Sequence, residues 1–193
     1  MTFVNPAPDG EAETLYERER ERVGYLPNYA RAFGARPEVY AAWQQLNGAI
    51  KAGMDLRRYE LVTLAAARRL RSSYCALAHG SVLADQFFAA GELRDIVLGD
   101  EAALDEADRA AMAFAEKLVA DATSIDESDV ERLRAAGLSD TEVLDVALAA
   151  AARCFFSKTL DALGVQPDAE YDTSVEPELR EALTVGRPIS SRP

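Results

Sequence analysis

Two cysteines and one histidine are all the thiol and imidazole chemistry in this 193-residue chain. With only Cys75 and Cys154 it has no disulfide framework of the kind that staples small secreted domains. It also lacks any block of lysine and arginine: 21 basic against 33 acidic residues leave a net charge of −12. That field repels a phosphate backbone, so nucleic acid is not an expected partner. Long apolar runs are absent as well. The most apolar, Val146 to Ala152, falls far short of the ~18 residues a spanning helix needs, so no membrane partner is expected. The opening residues, MTFVNPAPDGEAETLYERERERV, carry neither the basic start nor the apolar core of a secretory signal, and a cytoplasmic location is expected. Clusters of β-branched residues are scarce, and no low-complexity segment or internal repeat is evident.

Alanine is plentiful, and apolar residues recur at spacings of three and four, a helical pattern almost throughout. Helices are expected at roughly 9–23, 26–34, 37–52, 56–70, 73–90, 104–121, 126–136 and 140–163, with a short one near 92–98. Pro27 suits a first helical turn, where its missing N–H costs nothing. Asp55 can cap the helix that carries Glu60. Gly137 followed by Ser139 and Glu142 matches a helix stop and a capping box. Beyond it Val143, Val146, Ala147, Ala150, Cys154 and Leu160 make a broad apolar surface, as a central helix would. Length and a hydrophobic content of 49% suit one domain over residues 1–166. From 167 onward, Pro167, Pro177, Pro188 and Pro193 with one short helix near 177–184 read as an extended arm. Val185 and Ile189 want burial there, so the arm is expected at an oligomer interface.

The stretch RRLRSSYCALAHGSVLADQF, residues 68–87, holds the single histidine, His79, four residues after Cys75. If a helix begins at Ser72 or Ser73, then Ser72 is an N-cap, and Ser72, Cys75 and His79 share one face. A cysteine in a first turn feels the positive end of the helix dipole, and Arg68, Arg69 and Arg71 lie just upstream; both favour thiolate. His79 can pass protons near neutral pH. Glu60 sits twelve residues before Ser72, where a bend near 70–73 can bring its carboxylate beside the imidazole. The plain alternative is a small core cysteine and a satisfied structural histidine. Metal is not expected, because zinc wants three or four protein ligands and no second Cys/His cluster exists.

Glu60, eleven intervening residues, then Ser72-Ser73-Tyr74-Cys75-Ala76-Leu77-Ala78-His79 resembles the core of the carboxymuconolactone decarboxylase / alkylhydroperoxidase-D-like (AhpD-like) superfamily, most closely its peroxidase-related branch. There a glutamate is followed twelve positions later by Cys-x-x-Cys-x-x-x-His. Three of the four functional positions match, and Ser72 replaces the first cysteine. Upstream LPNYARAFGARPEVYAAWQQLNGAI, downstream AAGLSDTEVLDVALAAAARCFFSKTLDALGV and the ending LTVGRPI look similar too, so the likeness runs over roughly residues 25–190.

The resemblance implies an all-α, AhpD-like helical bundle with an extended C-terminal arm, built into homo-oligomers: dimers, trimers or hexamers. It implies a thiol-dependent peroxidase acting on small alkyl hydroperoxides or hydrogen peroxide, with Cys75 attacking and His79 and Glu60 relaying protons. Ser72 stands where the resolving cysteine would be. A hydroxyl cannot form a disulfide, so a one-cysteine cycle resolved by an external thiol is what survives, with no cofactor. Cys154, beside Phe155 and Phe156, is expected to be an inert buried thiol. Tyr74 can donate to substrate or line a pocket, or simply pack in the core as an ordinary tyrosine. Two alternatives stand: a non-catalytic redox-sensing or binding member of the fold, and a carboxymuconolactone-decarboxylase-like enzyme. The second needs an arginine facing His79.

Overall fold

The computed structural model describes residues 2–5, 10 and 12–191. Among them are eleven α-helices, one short 3-10 turn and no strand. The early helices are α1 (Glu13–Val23), α2 (Asn28–Phe33), α3 (Pro37–Ala52), α4 (Leu56–Arg69) and α5 (Ser73–Gln86). Then come α6 (Ala90–Leu98), α7 (Glu106–Asp121), α8 (Glu127–Ala135), α9 (Asp140–Ala162), α10 (Tyr171–Ser174) and α11 (Pro177–Leu183). Position 9, the expected start of the first helix, and Pro193 at the tail lie outside the described residues. No helix among those described is long and apolar enough to cross a membrane.

The helix ends follow side-chain chemistry. Asp55 caps α4 by accepting the Arg58 N–H at 3.0 Å. Ser139 and Glu142 close both halves of a capping box at α9, after Gly137 turns the chain at φ +97°. Pro27 differs from expectation: it takes the N-cap of α2 with extended backbone, one step outside the first turn. The helix expected to run to 90 stops at Gln86, and α6 starts at Ala90.

The α4 helix lies at the centre and is buried over nine successive residues, Tyr59 to Ala67. Leu61, Leu64 and Ala65 join a core with Leu77, Leu83, Phe156 and Leu160. Val62 and Ala66 join a second core with Ala111, Ala115, Leu133, Val146 and Ala150. A helix whose middle is buried on every side can be placed only inside.

The arm from 167 folds back on its own chain. Val175, Leu179 and Leu183 are buried in the first core, and Val185 and Ile189 pack on its edge. Gly80 has no Cβ where Leu183 presses in; one built there would stand 2.5 Å from Leu183 Cδ1. The burial that the arm's apolar residues require is thus found within the chain.

Candidate active site

The hinge between α4 and α5 builds the site. After Arg69 the Arg71 N–H bonds the Arg68 carbonyl and the Ser72 N–H bonds the Ala67 carbonyl, the two bonds of a Schellman stop. Arg71 holds the left-handed position at φ +58° although it is not glycine. This tight reversal lays α5 back along α4. Ser72 becomes the N-cap of α5, as its spacing predicts, but its side chain makes no cap bond. Its buried Oγ finds no hydrogen-bond partner of normal length, with Asp161 near enough only to feel it. Cys75 falls in the first turn of α5 and is 1% exposed.

The reversal brings Glu60 and His79 together: Nδ1 of His79 lies 2.5 Å from Oε2 of Glu60. The other carboxylate oxygen accepts from Lys51 Nζ at 2.7 Å. Burial works against charge on Glu60, but the bonds and charges of His79 and Lys51 outweigh it and hold the carboxyl below its ordinary range. Burial and then the charge of Arg153 push His79 down to about 4, against the pull of Glu60. The imidazole is therefore neutral at pH 7. Its Nδ1–H donates to the Glu60 carboxylate and Nε2 is left as a proton acceptor.

Arg153, on α9, was not among the residues singled out from the sequence. It is 4% exposed, and its Nη1 donates to Cys75 Sγ at 3.6 Å. Its guanidinium lies over Trp43 at 5.8 Å and Phe156 at 5.7 Å from the ring centroids, and its Nε has no partner. No carboxylate lies within ion-pair distance among the described residues. Burial works against its charge, but the sulfur of Cys75 and the nearby Tyr59 outweigh it and raise its pKa. A sequence signal did exist: between Asp145 and Lys158 it is the one charged residue.

A groove of about 370 Å³ opens onto this cluster. Tyr29, Tyr40, Trp43 and Phe156 form an aromatic wall, with Lys51, Glu60, His79 and Arg153 beside it. Cys75 does not line the groove; Arg153 lines it and touches the sulfur. Hollows of about 480 and 520 Å³ lie against α11, but neither is lined by a histidine or a cysteine.

Two expectations are corrected. Tyr74 is not at the groove: it is buried, its hydroxyl donates to Asp168, and Asp168 also accepts from Tyr25 at 3.0 Å and from the Asn28 N–H at 2.7 Å. That network pins the start of α2 to the arm and leaves Tyr74 nothing to give a substrate. Phe155 is 44% exposed and Cys154 only half-buried, because that side of α9 faces outward. Both cysteines are free. No group of three or more His, Cys, Asp or Glu among the described residues is placed to hold a metal ion.

Residues 37–117, which contain Glu60, Ser72, Cys75 and His79, match the carboxymuconolactone decarboxylase family. That segment of the chain carries the pattern of the carboxymuconolactone decarboxylase family. Solved structures share this helical fold over nearly the whole chain. A peroxidase-related protein with an alkylhydroperoxidase AhpD core, from Ralstonia eutropha JMP134, superposes with a TM-score of 0.76 at 20% identity, covering 88% of this chain and 94% of that one. A peroxidase-related protein from Silicibacter sp. TM1040 gives 0.75 at 24% identity, covering 89% and 91%. The debrominase Bmp8, as a cysteine-to-alanine variant in complex with 2,3,4-tribromopyrrole, gives 0.69 at 18% identity, covering 95% and 96%. Among curated proteins no sequence matches. Arg153 lies outside the matched segment, so the family pattern in residues 37–117 covers Glu60, Cys75 and His79 but not the cation on the sulfur.

Proposed function

We propose that this chain is a thiol-dependent peroxidase that reduces small alkyl hydroperoxides or hydrogen peroxide through Cys75. The observation that carries the reading is Arg153, a buried guanidinium with no carboxylate in reach and Nη1 3.6 Å from Cys75 Sγ. An uncompensated buried cation is costly, and a thiolate compensates it where a thiol does not. The pairing therefore supports the nucleophilic form of the sulfur. Neutral His79, oriented by Glu60, is the acceptor for the thiol proton. The thiolate attacks one oxygen of ROOH and the O–O bond breaks. The departing alkoxide takes the proton from His79, giving ROH and the Cys75 sulfenic acid. Ser72 has no sulfur to condense with it. One external thiol then forms a mixed disulfide and releases water, and a second displaces it to regenerate Cys75.

The test is the pH dependence of Cys75 alkylation in a Cys154→Ser background, followed by hydroperoxide turnover with added thiol. Fast reaction at neutral pH is expected, slowed about tenfold or more by Arg153→Met and by His79→Ala, with turnover abolished by Cys75→Ser. A sulfur that labels only after unfolding overturns the reading, and one that oxidises once without turnover makes the chain a redox sensor.

One observation favours a second reading. Arg153, Lys51 and His79 line the groove while Cys75 does not. An arginine facing the histidine suits acid–base chemistry on a small carboxylated lactone, as in a lactone decarboxylase. On that reading Cys75→Ser keeps activity and His79→Ala loses it. The likeness to the debrominase adds halogenated pyrroles to the substrates worth including in the turnover assay.

A further inference from the structure

Tyr59 stands one residue before Glu60 on α4, is 1% exposed, and takes no part in the relay of Glu60 and His79. Its hydroxyl donates to Asn47 Oδ1 at 2.8 Å. Lys51 Nζ lies 5.1 Å from the centre of its ring, and the ring meets His79 edge-on at 6.1 Å. Tyr59, Asn47 and Arg153 line one groove, and the Arg153 guanidinium donates to the Tyr59 oxygen. A phenol has one proton to give, and Asn47 takes it. The oxygen is left as an acceptor only. Arg153 is its complement: a buried side chain with donors alone and no carboxylate within ion-pair distance among the described residues.

We infer that Tyr59, its hydroxyl oriented by Asn47, is a positioning residue that holds the Arg153 guanidinium against the sulfur of Cys75. That role rests on the proposed peroxidase reading, in which Cys75 is the nucleophile. A carboxylate in the place of the phenol would cancel the charge of Arg153 and relieve it of any need for a thiolate. A neutral oxygen fixes the direction of the guanidinium and leaves its charge for the sulfur, 3.6 Å from Nη1. Tyr59 touches no reacting atom; it acts through Arg153. The other titratable groups by the sulfur are His79, one turn further along α5, and Tyr171 of α10, which does not line the groove. Removing the Tyr59 oxygen alone leaves Tyr171 in place and keeps the ring against Lys51 and His79.

The test is the pH profile of Cys75 alkylation by iodoacetamide in the full chain carrying Cys154→Ser, with far-UV circular dichroism on each variant as a check on folding. Tyr59→Phe should raise the midpoint by about half a pH unit, slowing the reaction about threefold below it, with the limiting rate at high pH unchanged. Arg153→Met should slow it about tenfold or more. Tyr59→Phe added to Arg153→Met should slow it no further, because a residue that acts through Arg153 has nothing to act on once the guanidinium is gone. Asn47→Leu should repeat the effect of Tyr59→Phe and add nothing to it. A merely structural role would lower stability and leave the profile where it was. An unmoved profile in Tyr59→Phe, or equal slowing with and without Arg153, overturns the inference and leaves the peroxidase reading standing. A profile that Arg153→Met does not move overturns both. Should Tyr59→Phe not fold, Asn47→Leu, at a half-buried position, decides in the same two backgrounds.

Discussion

The chain's one histidine makes the protonation state of its candidate base readable without assignment work. Acidification is the perturbation. Burial and the Arg153 charge take His79 from 6.5 to about 4, although Glu60 pulls the other way with a bond of 2.5 Å. Glu60 does not win because it is already shared with Lys51 and because imidazolium would be a second buried cation beside Arg153. In the unfolded chain the imidazole titrates near 6.5. Between pH 6.5 and about 4 the unfolded state therefore binds a proton that the native state does not. Stability is full above that window and is lost as pH falls through it. A gap of roughly two and a half pH units at about 1.36 kcal/mol each amounts to about 3 kcal/mol. The side chain is only 11% exposed, so solvent screening removes little of it. Glu60, held below its ordinary value, adds a loss of the same sign, but at lower pH.

Proton NMR of the imidazole between about pH 3 and pH 8 gives the midpoint directly. Urea unfolding across the same range gives the stability, with His79→Gln as the control. The midpoint should fall near 4, and the variant should lose the stability slope between pH 6.5 and that value. Lys51→Met, which frees Glu60 for the imidazole and removes a repelling charge, should move the midpoint upward. A midpoint at or above 6.5 in the folded protein would refute the reasoning. His79 would then be an imidazolium paired with Glu60, unable to take a proton from Cys75.

Three further outcomes are expected. Gly186→Ala places a Cβ 1.9 Å from the Arg71 carbonyl oxygen, a clash with backbone that no rotamer relieves, whereas Gly80→Ala meets only the end of the Leu183 side chain at 2.5 Å. Denaturant unfolding should show the first costing about 3 kcal/mol and the second nearer 1. Asp168→Ala strands the buried Tyr74 hydroxyl and the Asn28 N–H, and should cost about 2–4 kcal/mol by the same measurement, with Asp168→Asn costing less. Ser72→Cys restores a Cys-x-x-Cys pair at a buried helix N-cap. Peroxide should then close an intramolecular disulfide, seen as the loss of two hydrogens by mass, and thiol-driven turnover should rise.

Much of the fold was legible because helical periodicity and caps are local. Asp55 and the Ser139–Glu142 pair mark where α4 and α9 begin, and the structure starts those helices at the next residue. What an apolar face packs against is not local. Leu179 and Leu183 announce that the arm has a side to bury, but only the cavity left by Gly80 on α5 shows that it is buried in the same chain. Phe155 is the converse case. Beside Phe156 it reads as core, yet a step of about 100° around the helix separates the two, enough to leave Phe155 exposed while Phe156 is buried.

The same division runs through the site. Glu60 and His79 lie on consecutive helices joined by a tight stop, so their spacing constrains them to meet and a sequence motif can record it. Tyr74 shares that local frame, but the partner of its hydroxyl could not be read there, because Asp168 lies 94 residues further along the chain. Arg153 is 78 residues from Cys75, and nothing near either residue says that α9 will carry a cation onto the sulfur. Its trace in the sequence is negative: a charged residue where every neighbour from Val146 to Phe156 is apolar. Such a residue is tolerated inside only if something there answers its charge. With no carboxylate in reach among the described residues, Arg153 donates to the sulfur of Cys75. Ser72 removes the partner thiol that would mark Cys75 as redox-active from sequence. On the proposed reading, the buried arginine is what would separate a nucleophile from a small core residue, and it meets the sulfur only once α9 has packed against α4.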